Sequence, residues 1–280
     1  MTTKTTILVL GGTGKTGRRV ADRLQARNLP VRVGTRSGAV PFDWENPATW
    51  AAALRDVKAV YVSYYPDLAA PGATQAIQEF TKVAVSSGVQ HLVLLSGRGE
   101  PEAQACEQIV RESGIDWTVV RASWFAQNFS EGYLLDSILA GEVVLPAGNV
   151  GEPFVDADDI ADVAALALSE PGHAGKHYEV TGPRLLTFAE AVGEIAKATG
   201  RTIRYVQVPY EEYDAALAAA QVPSELIGFL SYLFKEVLDG RNASLADGVV
   251  RALGRAPRDF ADYARNTAAT GVWNAPMRSA

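Results

Sequence analysis

Three glycines near the start of the chain have the spacing of a phosphate-binding loop. Gly12, Gly14 and Gly17 follow the apolar run Thr6–Leu10 and open a segment with helical periodicity. Glycines at these positions allow a sharp turn, close approach of the backbone to a pyrophosphate and tight helix–strand packing. The complete predicted loop contains Gly11, Gly12, Thr13, Gly14, Lys15, Thr16 and Gly17. Its context favours dinucleotide binding over a glycine-rich turn that binds no ligand.

Arg36 indicates which dinucleotide the loop would bind. NAD-binding chains usually place an Asp or Glu about 20 residues past the loop, where it holds the ribose 2′-hydroxyl. This chain has Thr35, Arg36 and Ser37 in that region. An arginine cannot accept a hydrogen bond from the hydroxyl, but it can pair with a 2′-phosphate. We therefore predict NADP(H) as the cofactor, with help from Ser37 and Lys15; the alternative is a solvated arginine at a strand end.

The elements that position these residues alternate between strands and helices. We predict strands over Thr6–Leu10, Val31–Gly34, Val40–Asp43, Ala59–Ser63, His91–Ser96 and Trp117–Arg121. Helical segments of ten to fifteen residues separate most of these strands. This alternation predicts an α/β protein with a Rossmann doubly wound parallel sheet, covered by helices on both faces.

The alternation weakens after about residue 121. Trp124–Ala140 is predicted to be a helix. We predict an NAD(P)-binding Rossmann domain over residues 1–150, with residues 154–182 returning to its sheet. Residues 183–280 then form a smaller, mostly helical substrate-binding region.

Composition narrows the function classes. The net charge of −6 and the lack of basic runs argue against nucleic acid as a partner. No apolar stretch reaches the ~20 residues that span a membrane. A single cysteine, Cys106, and the absence of a signal peptide predict a cytoplasmic protein. The three histidines lack metal-ligand spacing, so no metal is expected. The predicted partner is a small-molecule substrate, and the predicted state is a monomer or small homo-oligomer.

Several motifs together give the chain a family resemblance. It resembles the NmrA-like branch of the atypical short-chain dehydrogenases/reductases. The matching stretches are Leu8–Gly17, Val93–Gly97, Glu107–Arg121, Trp124–Phe129, Asp156–Ala161 and Tyr178–Pro183. Within the branch, Gly12–Gly17, Ser96–Glu100 and Trp124–Asn128 are most similar to the ergot-alkaloid (festuclavine/agroclavine) dehydrogenase-like subgroup, whose members reduce an iminium carbon with NADPH.

The resemblance implies further contacts with the cofactor. Asp43 lies where this superfamily often contacts the adenine. Ser63 at one strand end, and Ser96 and Gly97 at the next, are implied to lie near the ribose and nicotinamide. These positions agree with the general rule that open α/β sheets bind ligands at the carboxyl ends of their strands.

One motif of the superfamily is missing. Ordinary members use a Tyr-x-x-x-Lys pair as proton donor and ribose anchor, but the helix after Ser96 contains neither residue type. An iminium ion accepts hydride without an acid, so its enzyme needs mainly orientation and negative charge or aromatic faces. A quinone also accepts hydride directly, and Arg98 could stabilise the oxyanion that forms. The candidate catalytic residues are Tyr64, Tyr65, Arg98 and Glu100, and the candidate substrate contacts are Trp124, Phe125 and Asn128.

Two functions remain open from the sequence. The first is an NADPH-dependent oxidoreductase that transfers hydride to a small electrophile, an imine/iminium or a quinone. The second is a non-catalytic NADP(H)-sensing regulatory protein of NmrA type, which the missing Tyr-Lys pair also suits. Use of the same scaffold by a lyase or cyclase is a weaker third alternative.

Overall fold

The strands and helices were located in a computed structural model that describes residues 6–274. The strands are β1 Thr6–Leu10, β2 Val31–Gly34, β3 Val57–Val62, β4 His91–Gly97, β5 Asp116–Ala122, β6 Glu142–Leu145, β7 Lys176–Val180 and β8 Arg204–Gln207. The helices are α1 Lys15–Ala26, α2 Trp50–Ala53, α3 Ala73–Ser86, α4 Pro101–Arg111, α5 Asn128–Glu131, α6 Leu135–Ala140, α7 Ala157–Ser169, α8 Phe188–Thr199, α9 Tyr210–Ala219, α10 Ser224–Tyr232, α11 Gly248–Leu253 and α12 Phe260–Ala269.

The described chain divides into two units. The first contains residues 6–122, 157–180 and 246–256, and the second contains residues 123–156, 181–245 and 257–274. The sequence prediction placed residues 123–150 with the Rossmann domain, but in the structure they belong to the second unit. The reason is that β6 pairs with β8 instead of joining the large sheet.

The first unit contains a six-stranded parallel sheet with strand order β2-β1-β3-β4-β5-β7. Ile7–Leu10 of β1 are buried, as expected for a strand that helices cover on both faces. Helix α1 buries Val20, Ala21 and Leu24, which helical periodicity places on one face. The strand order reverses between β1 and β3, where open α/β sheets form their ligand crevice. The predicted α/β Rossmann fold is confirmed.

Two predicted elements are wrong in detail. Val40–Asp43 is not a strand but an irregular segment, because Pro41 cannot donate a ladder hydrogen bond and the Asp43 carboxylate accepts one from the Glu45 N–H. Trp124–Ala140 is not one continuous helix. It is divided into α5 and α6 at Gly132, whose backbone is extended.

The second unit has its own apolar core. Phe129, Phe154, Phe188, Phe234 and Phe260 lie in it, together with aliphatic side chains from α6, α8 and the β6–β8 pair. A capping box starts α8, in which the Thr187 hydroxyl accepts from the Glu190 N–H. Among residues 6–274, no helix combines the length and the apolar character that a bilayer-spanning segment needs.

Candidate functional site

The glycine loop closes tightly between β1 and α1. Gly11 has a φ of +62°, a conformation that favours glycine, and its carbonyl oxygen accepts a hydrogen bond of 2.8 Å from the Gly14 N–H. A Cβ atom on Gly17 would lie 2.2 Å from that same carbonyl oxygen. A Cβ atom on Gly12 would lie 2.5 Å from Cγ1 of Val33 on β2. Glycine is therefore required at 12 and 17 by the protein's own packing.

The start of α1 can accept an anion. Gly14 is its N-cap and supplies no side-chain oxygen, so no side chain caps the first turn. Thr13 and Gly14 are exposed, whereas Thr16 is buried and Lys15 is partly exposed. An uncapped helix N-terminus presents N–H groups and a positive dipole end, which together bind phosphate. This loop fits the pyrophosphate of a dinucleotide.

Arg36 lies just past the end of β2, beside this loop. Gly34, the last residue of β2, is paired with Leu10, the last residue of β1. Arg36 and Ser37 are exposed. No group within residues 6–274 pairs with the Arg36 guanidinium. Its charge therefore remains available at the edge of the sheet where the glycine loop lies.

Asp43 shapes the turn that contains it. Its carboxylate accepts a hydrogen bond of 3.1 Å from the Glu45 N–H, and its carbonyl oxygen accepts one of 2.7 Å from the Trp50 indole. The Ser63 carbonyl oxygen accepts another from the Trp44 indole, at 3.1 Å. The two segments implied to contact adenine and ribose are thus each fixed by tryptophan side chains.

Ser96 points into a buried ionic network. Its hydroxyl donates a hydrogen bond of 2.7 Å to Glu107, which is 1% exposed. Arg121 donates two hydrogen bonds to the same carboxylate, at 2.8 and 2.6 Å. The pairing with Glu107 raises the pKa of Arg121. Ser96 is therefore fixed by α4 and β5 from below the strand end.

Arg98 is buried and paired. Its Nε atom donates a hydrogen bond of 2.5 Å to the Glu179 carboxylate on β7. Glu179 also lies 3.8 Å from the Arg121 guanidinium. This pairing offsets much of the positive charge that the sequence analysis expected Arg98 to offer an oxyanion.

Glu100 folds back over the end of β4. The turn through Arg98 and Gly99 (φ +80°) brings the Glu100 carboxyl onto Gly97, where a Cβ atom would lie 2.0 Å from Oε2 of Glu100. Glu100 is 7% exposed and shares a hydrogen bond with the Asp67 carboxyl, which follows β3. Its Oε2 atom is buried without a hydrogen-bond partner among residues 6–274. Burial, and secondarily the Asp67 carboxyl, raises the pKa of Glu100 to about 9.

The two tyrosines after β3 differ in environment. Tyr65 is 79% exposed. Tyr64 packs against Trp44, with ring centroids 5.0 Å apart. Burial raises the pKa of Tyr64. Tyr64 therefore lies in an aromatic wall near the strand end, while Tyr65 extends into solvent.

The predicted substrate contacts lie in the second unit. Trp124 packs against Phe188 and Phe234, with ring centroids 5.2 and 5.4 Å away. Phe125 forms a parallel bridge with Val155. Asn128 starts α5, and its N–H donates to the Phe125 carbonyl oxygen. A groove in this unit is lined by Pro146, Ala147, Gly148, Val150, Gln207, Val208, Pro209 and Tyr210.

Two further site residues were missed by sequence reasoning. Asp67 lies in the loop that follows β3, a region where the rule for open α/β sheets could have indicated it. Glu107 was named only as the first residue of a stretch that matches the family. A buried carboxylate needs a cationic partner, and that requirement could have indicated an ion pair between Glu107 and a residue of the neighbouring strands. Among residues 6–274, no cluster of three or more His, Cys, Asp and Glu side chains could hold a metal ion. Cys106 is buried.

Comparisons with known families agree with this geometry. The chain matches a family described as NAD(P)H-binding over residues 11–171 and the NmrA-like family over residues 102–255. It is 32% identical to the NAD(P)H azoreductase of Xenophilus azovorans, over 94% of this chain and 98% of that protein. It is 31% identical to the agroclavine dehydrogenase of Claviceps fusiformis, over 96% of this chain and 98% of that protein.

Solved structures share the fold. The NADPH-dependent quinone oxidoreductase of Escherichia coli, complexed with NADPH, superposes with a TM-score of 0.78 at 21% identity and covers 93% of this chain and 99% of that one. The Citrobacter sp. triphenylmethane reductase complexed with NADP(H) has a TM-score of 0.75 at 20% identity, with coverage of 94% and 99%. The chain belongs to the NmrA-like branch of the atypical short-chain dehydrogenases/reductases and is an NAD(P)H-dependent oxidoreductase.

Proposed function

We propose that the protein transfers hydride from NADPH to a small electrophilic substrate, an imine/iminium or a quinone. The observation that carries this proposal is the end of β4, where the buried Glu100 covers Gly97 and the following helix α4 contains neither Tyr nor Lys. A site without the usual acid pair suits a substrate that is electrophilic enough to accept hydride directly. The related azoreductase and agroclavine dehydrogenase support a redox reaction on a small molecule.

The preference for NADPH rests on Arg36. Its exposed guanidinium stands past β2, next to the glycine loop, with Ser37 beside it. An arginine can form two parallel charge-assisted hydrogen bonds with a phosphate. It cannot accept a hydrogen bond from a ribose 2′-hydroxyl, because the guanidinium group has donors only. When bound, NADPH supplies the hydride, and the chain's own residues orient it and exclude water.

The residues near the strand ends suit an electron-poor substrate. The Asp67–Glu100 carboxyl pair provides one negative charge after β3 and β4, and Tyr64 provides an aromatic face. These features stabilise a cation such as an iminium ion. Arg98 is paired with Glu179, so oxyanion stabilisation by Arg98 contributes less to the proposal than the sequence alone suggests.

The experiment is NADPH oxidation with a panel of cyclic imines and a panel of quinones. We expect turnover with at least one panel, and slower turnover when NADH replaces NADPH. NADPH binding without turnover across both panels would contradict a reductase function for these substrate classes. Binding of the cofactor is measured separately, by the fluorescence of NADPH, so that a failure of binding is not mistaken for a failure of chemistry.

A non-catalytic NADP(H)-sensing role is the second candidate. It is favoured by α4, which lacks Tyr and Lys, and by the neutralised Arg98. A sensor of this kind would bind NADP⁺ and NADPH without turnover, and dinucleotide binding would change its affinity for a partner protein. The turnover assay and a pull-down with each cofactor form distinguish the two candidates.

A further inference from the structure

Two carboxyl groups meet between the ends of the neighbouring strands β3 and β4. Glu100 follows β4 and Asp67 follows β3, and the two side chains share a hydrogen bond. Both segments belong to the first unit, and both leave the sheet at its carboxyl edge, where open α/β sheets bind their ligands. Two carboxylates this close cannot both stay ionised near neutral pH, so one of them keeps a proton.

The contacts indicate which carboxyl holds the proton. Burial raises the pKa of Asp67 as well, but its carboxylate accepts a hydrogen bond of 2.9 Å from the Ala69 N–H, which favours the ionised form. Glu100 has no such donor within residues 6–274, and its Oε2 atom is buried and unpaired. Burying an ionised carboxylate without a donor is costly, whereas a neutral carboxyl group can donate to Asp67. The proton therefore resides on Glu100, and burial raises its pKa to about 9.

The neighbouring charged groups favour the same assignment. Glu102 on α4 is a further carboxylate that raises the pKa of Glu100. Cys106 lies on the same helix, and its own pKa is raised to about 11, mainly by burial, so it remains a neutral thiol. Burial also raises the pKa of Tyr64, which remains a neutral phenol. The nearby Arg98 is paired with Glu179 on β7.

We propose that the Asp67–Glu100 pair stores one proton at neutral pH and that Glu100 donates it to the heteroatom of a neutral substrate during reduction. The proposal rests on the reductase function proposed above. It assigns to a carboxyl pair the proton delivery that the Tyr-Lys pair performs in ordinary members of the superfamily.

The step balances as follows for a quinone. The hydride brings two electrons and forms the new bond to the ring, and the carbonyl π electrons move onto the oxygen. Glu100 then gives its proton to that oxygen, its O–H bond breaks, and the pair is left with two negative charges. Water restores the proton before the next turnover. An iminium ion needs no proton, because hydride addition already converts its charged nitrogen into a neutral amine.

The first experiment tests, without cofactor or substrate, whether the Asp67–Glu100 pair holds a proton at neutral pH. Infrared difference spectra of the full chain are recorded across a pH series for wild type, Glu100→Gln and the matched control Glu112→Gln, which changes an exposed carboxylate at the C-terminal end of α4. We expect a protonated-carboxyl band at neutral pH that titrates with a midpoint near 9 in wild type and Glu112→Gln but is missing in Glu100→Gln. A wild-type spectrum without this band at neutral pH would overturn the proposal.

Two further variants probe the pair without removing Glu100. Asp67→Asn removes the neighbouring negative charge, so the midpoint of the band should fall. Gly97→Ala places a Cβ atom where the Glu100 carboxyl lies, so the carboxyl must move and the midpoint should again fall. An unchanged midpoint in both variants would show that Glu100 titrates independently of this arrangement and would overturn the pair.

The donation step is tested by comparing two substrate classes in the same variants. Glu100→Gln should lower kcat for a quinone by roughly 10²-fold, the contribution expected of a positioned general acid, and should leave kcat for an iminium ion nearly unchanged. Equal kcat values for wild type and Glu100→Gln with a quinone would contradict proton donation by Glu100 but would leave the proposed reductase function intact. Lack of any turnover in wild type would overturn both proposals together.

Discussion

Gly17 and Gly11 lie so close that a Cβ atom on Gly17 would come within 2.2 Å of the Gly11 carbonyl oxygen. The obstacle is backbone, which cannot rotate away as a side chain could. We predict that Gly17→Ala pushes α1 away from the end of β1 and lowers the free energy of unfolding by about 1–3 kcal/mol. The affinity for NADPH should fall as well, because the phosphate-facing N–H groups at the start of α1 are displaced. Denaturant unfolding and NADPH fluorescence measure the two effects.

Gly193→Ala is the matched control for this change. Gly193 lies inside α8, and a Cβ atom there meets no heavy atom within 4 Å. Alanine favours a helix interior over glycine by about 0.5–1 kcal/mol, so this variant should be slightly more stable than wild type. Similar losses in both variants would show that the contact between Gly17 and Gly11 is not the cause.

Arg36→Asp tests the origin of the cofactor preference. The substitution removes a donor to the 2′-phosphate and adds a carboxylate that can accept a hydrogen bond from a 2′-hydroxyl. Hydrogen bonds to charged groups contribute about 1.5–3 kcal/mol, so NADPH affinity should fall by roughly 10- to 100-fold while NADH affinity holds or rises. Fluorescence titration with both cofactors provides the measurement. Arg55→Asp makes the same charge change just before β3, at the other end of the strands, and should change both affinities little; equal losses in Arg36→Asp would contradict the assignment.

The first unit could be predicted from local sequence signals. Buried parallel strands such as β1 appear as continuous apolar runs, and glycines that no other residue can replace show directly in the sequence. Arg36 could be predicted as a cofactor contact because the residue that binds the adenosine ribose follows the glycine loop by about 20 residues. Val40–Asp43 was mistaken for a strand because its apolar residues resemble one, while the turn made by the Asp43 carboxylate outweighs that propensity.

The carboxyl pair could not be predicted in the same way. Asp67 and Glu100 are far apart in the chain, and they meet only because β3 and β4 pair in the sheet and the turn at Gly99 reverses the chain. The second unit was also misjudged, because the apolar periodicity of Trp124–Ala140 predicts a helix whether or not Gly132 interrupts it. Long-range strand pairing and single backbone breaks leave no periodic trace in a sequence.

Glu107→Gln tests the ionic network beneath Ser96. The variant leaves the Arg121 guanidinium largely buried with a neutral partner, and removal of one member of a buried ion pair typically costs about 3–5 kcal/mol. Because Glu179 lies 3.8 Å from Arg121 and offsets part of its charge, we expect a loss of free energy of unfolding near the lower end of that range. Denaturant unfolding at neutral pH measures it.

Glu112→Gln is the control on the same helix. Glu112 is exposed at the C-terminal end of α4, where it accepts a hydrogen bond from Gln108. Surface substitutions of this kind usually change stability by less than about 0.5 kcal/mol. If the Glu107 and Glu112 variants lose the same free energy of unfolding, the buried pairing of Glu107 with Arg121 does not stabilise the fold.

The raised pKa of Glu100 makes stability depend on pH. In the folded chain this pKa is about 9, whereas an unperturbed glutamate has a value near 4.5. The folded state therefore holds the proton more tightly than the unfolded state. The contribution of this proton to the free energy of unfolding is complete below the unfolded pKa and is lost as the pH rises through the folded pKa. The steepest slope one group can give is about 1.4 kcal/mol per pH unit.

Glu100→Gln keeps the shape of the side chain but cannot titrate, so its stability should vary less with pH than that of wild type. We predict that the free energy of unfolding of wild type falls relative to this variant between about pH 5 and pH 8. The fall should be at most about 1.4 kcal/mol for each pH unit. Glu112→Gln, which changes an exposed carboxylate at the C-terminal end of α4, should follow the wild-type curve. Denaturant unfolding of the three proteins across the pH series measures the difference. Parallel curves for wild type and Glu100→Gln would mean that Glu100 is already ionised in the folded protein, because only a proton bound more tightly on folding produces a difference in slope.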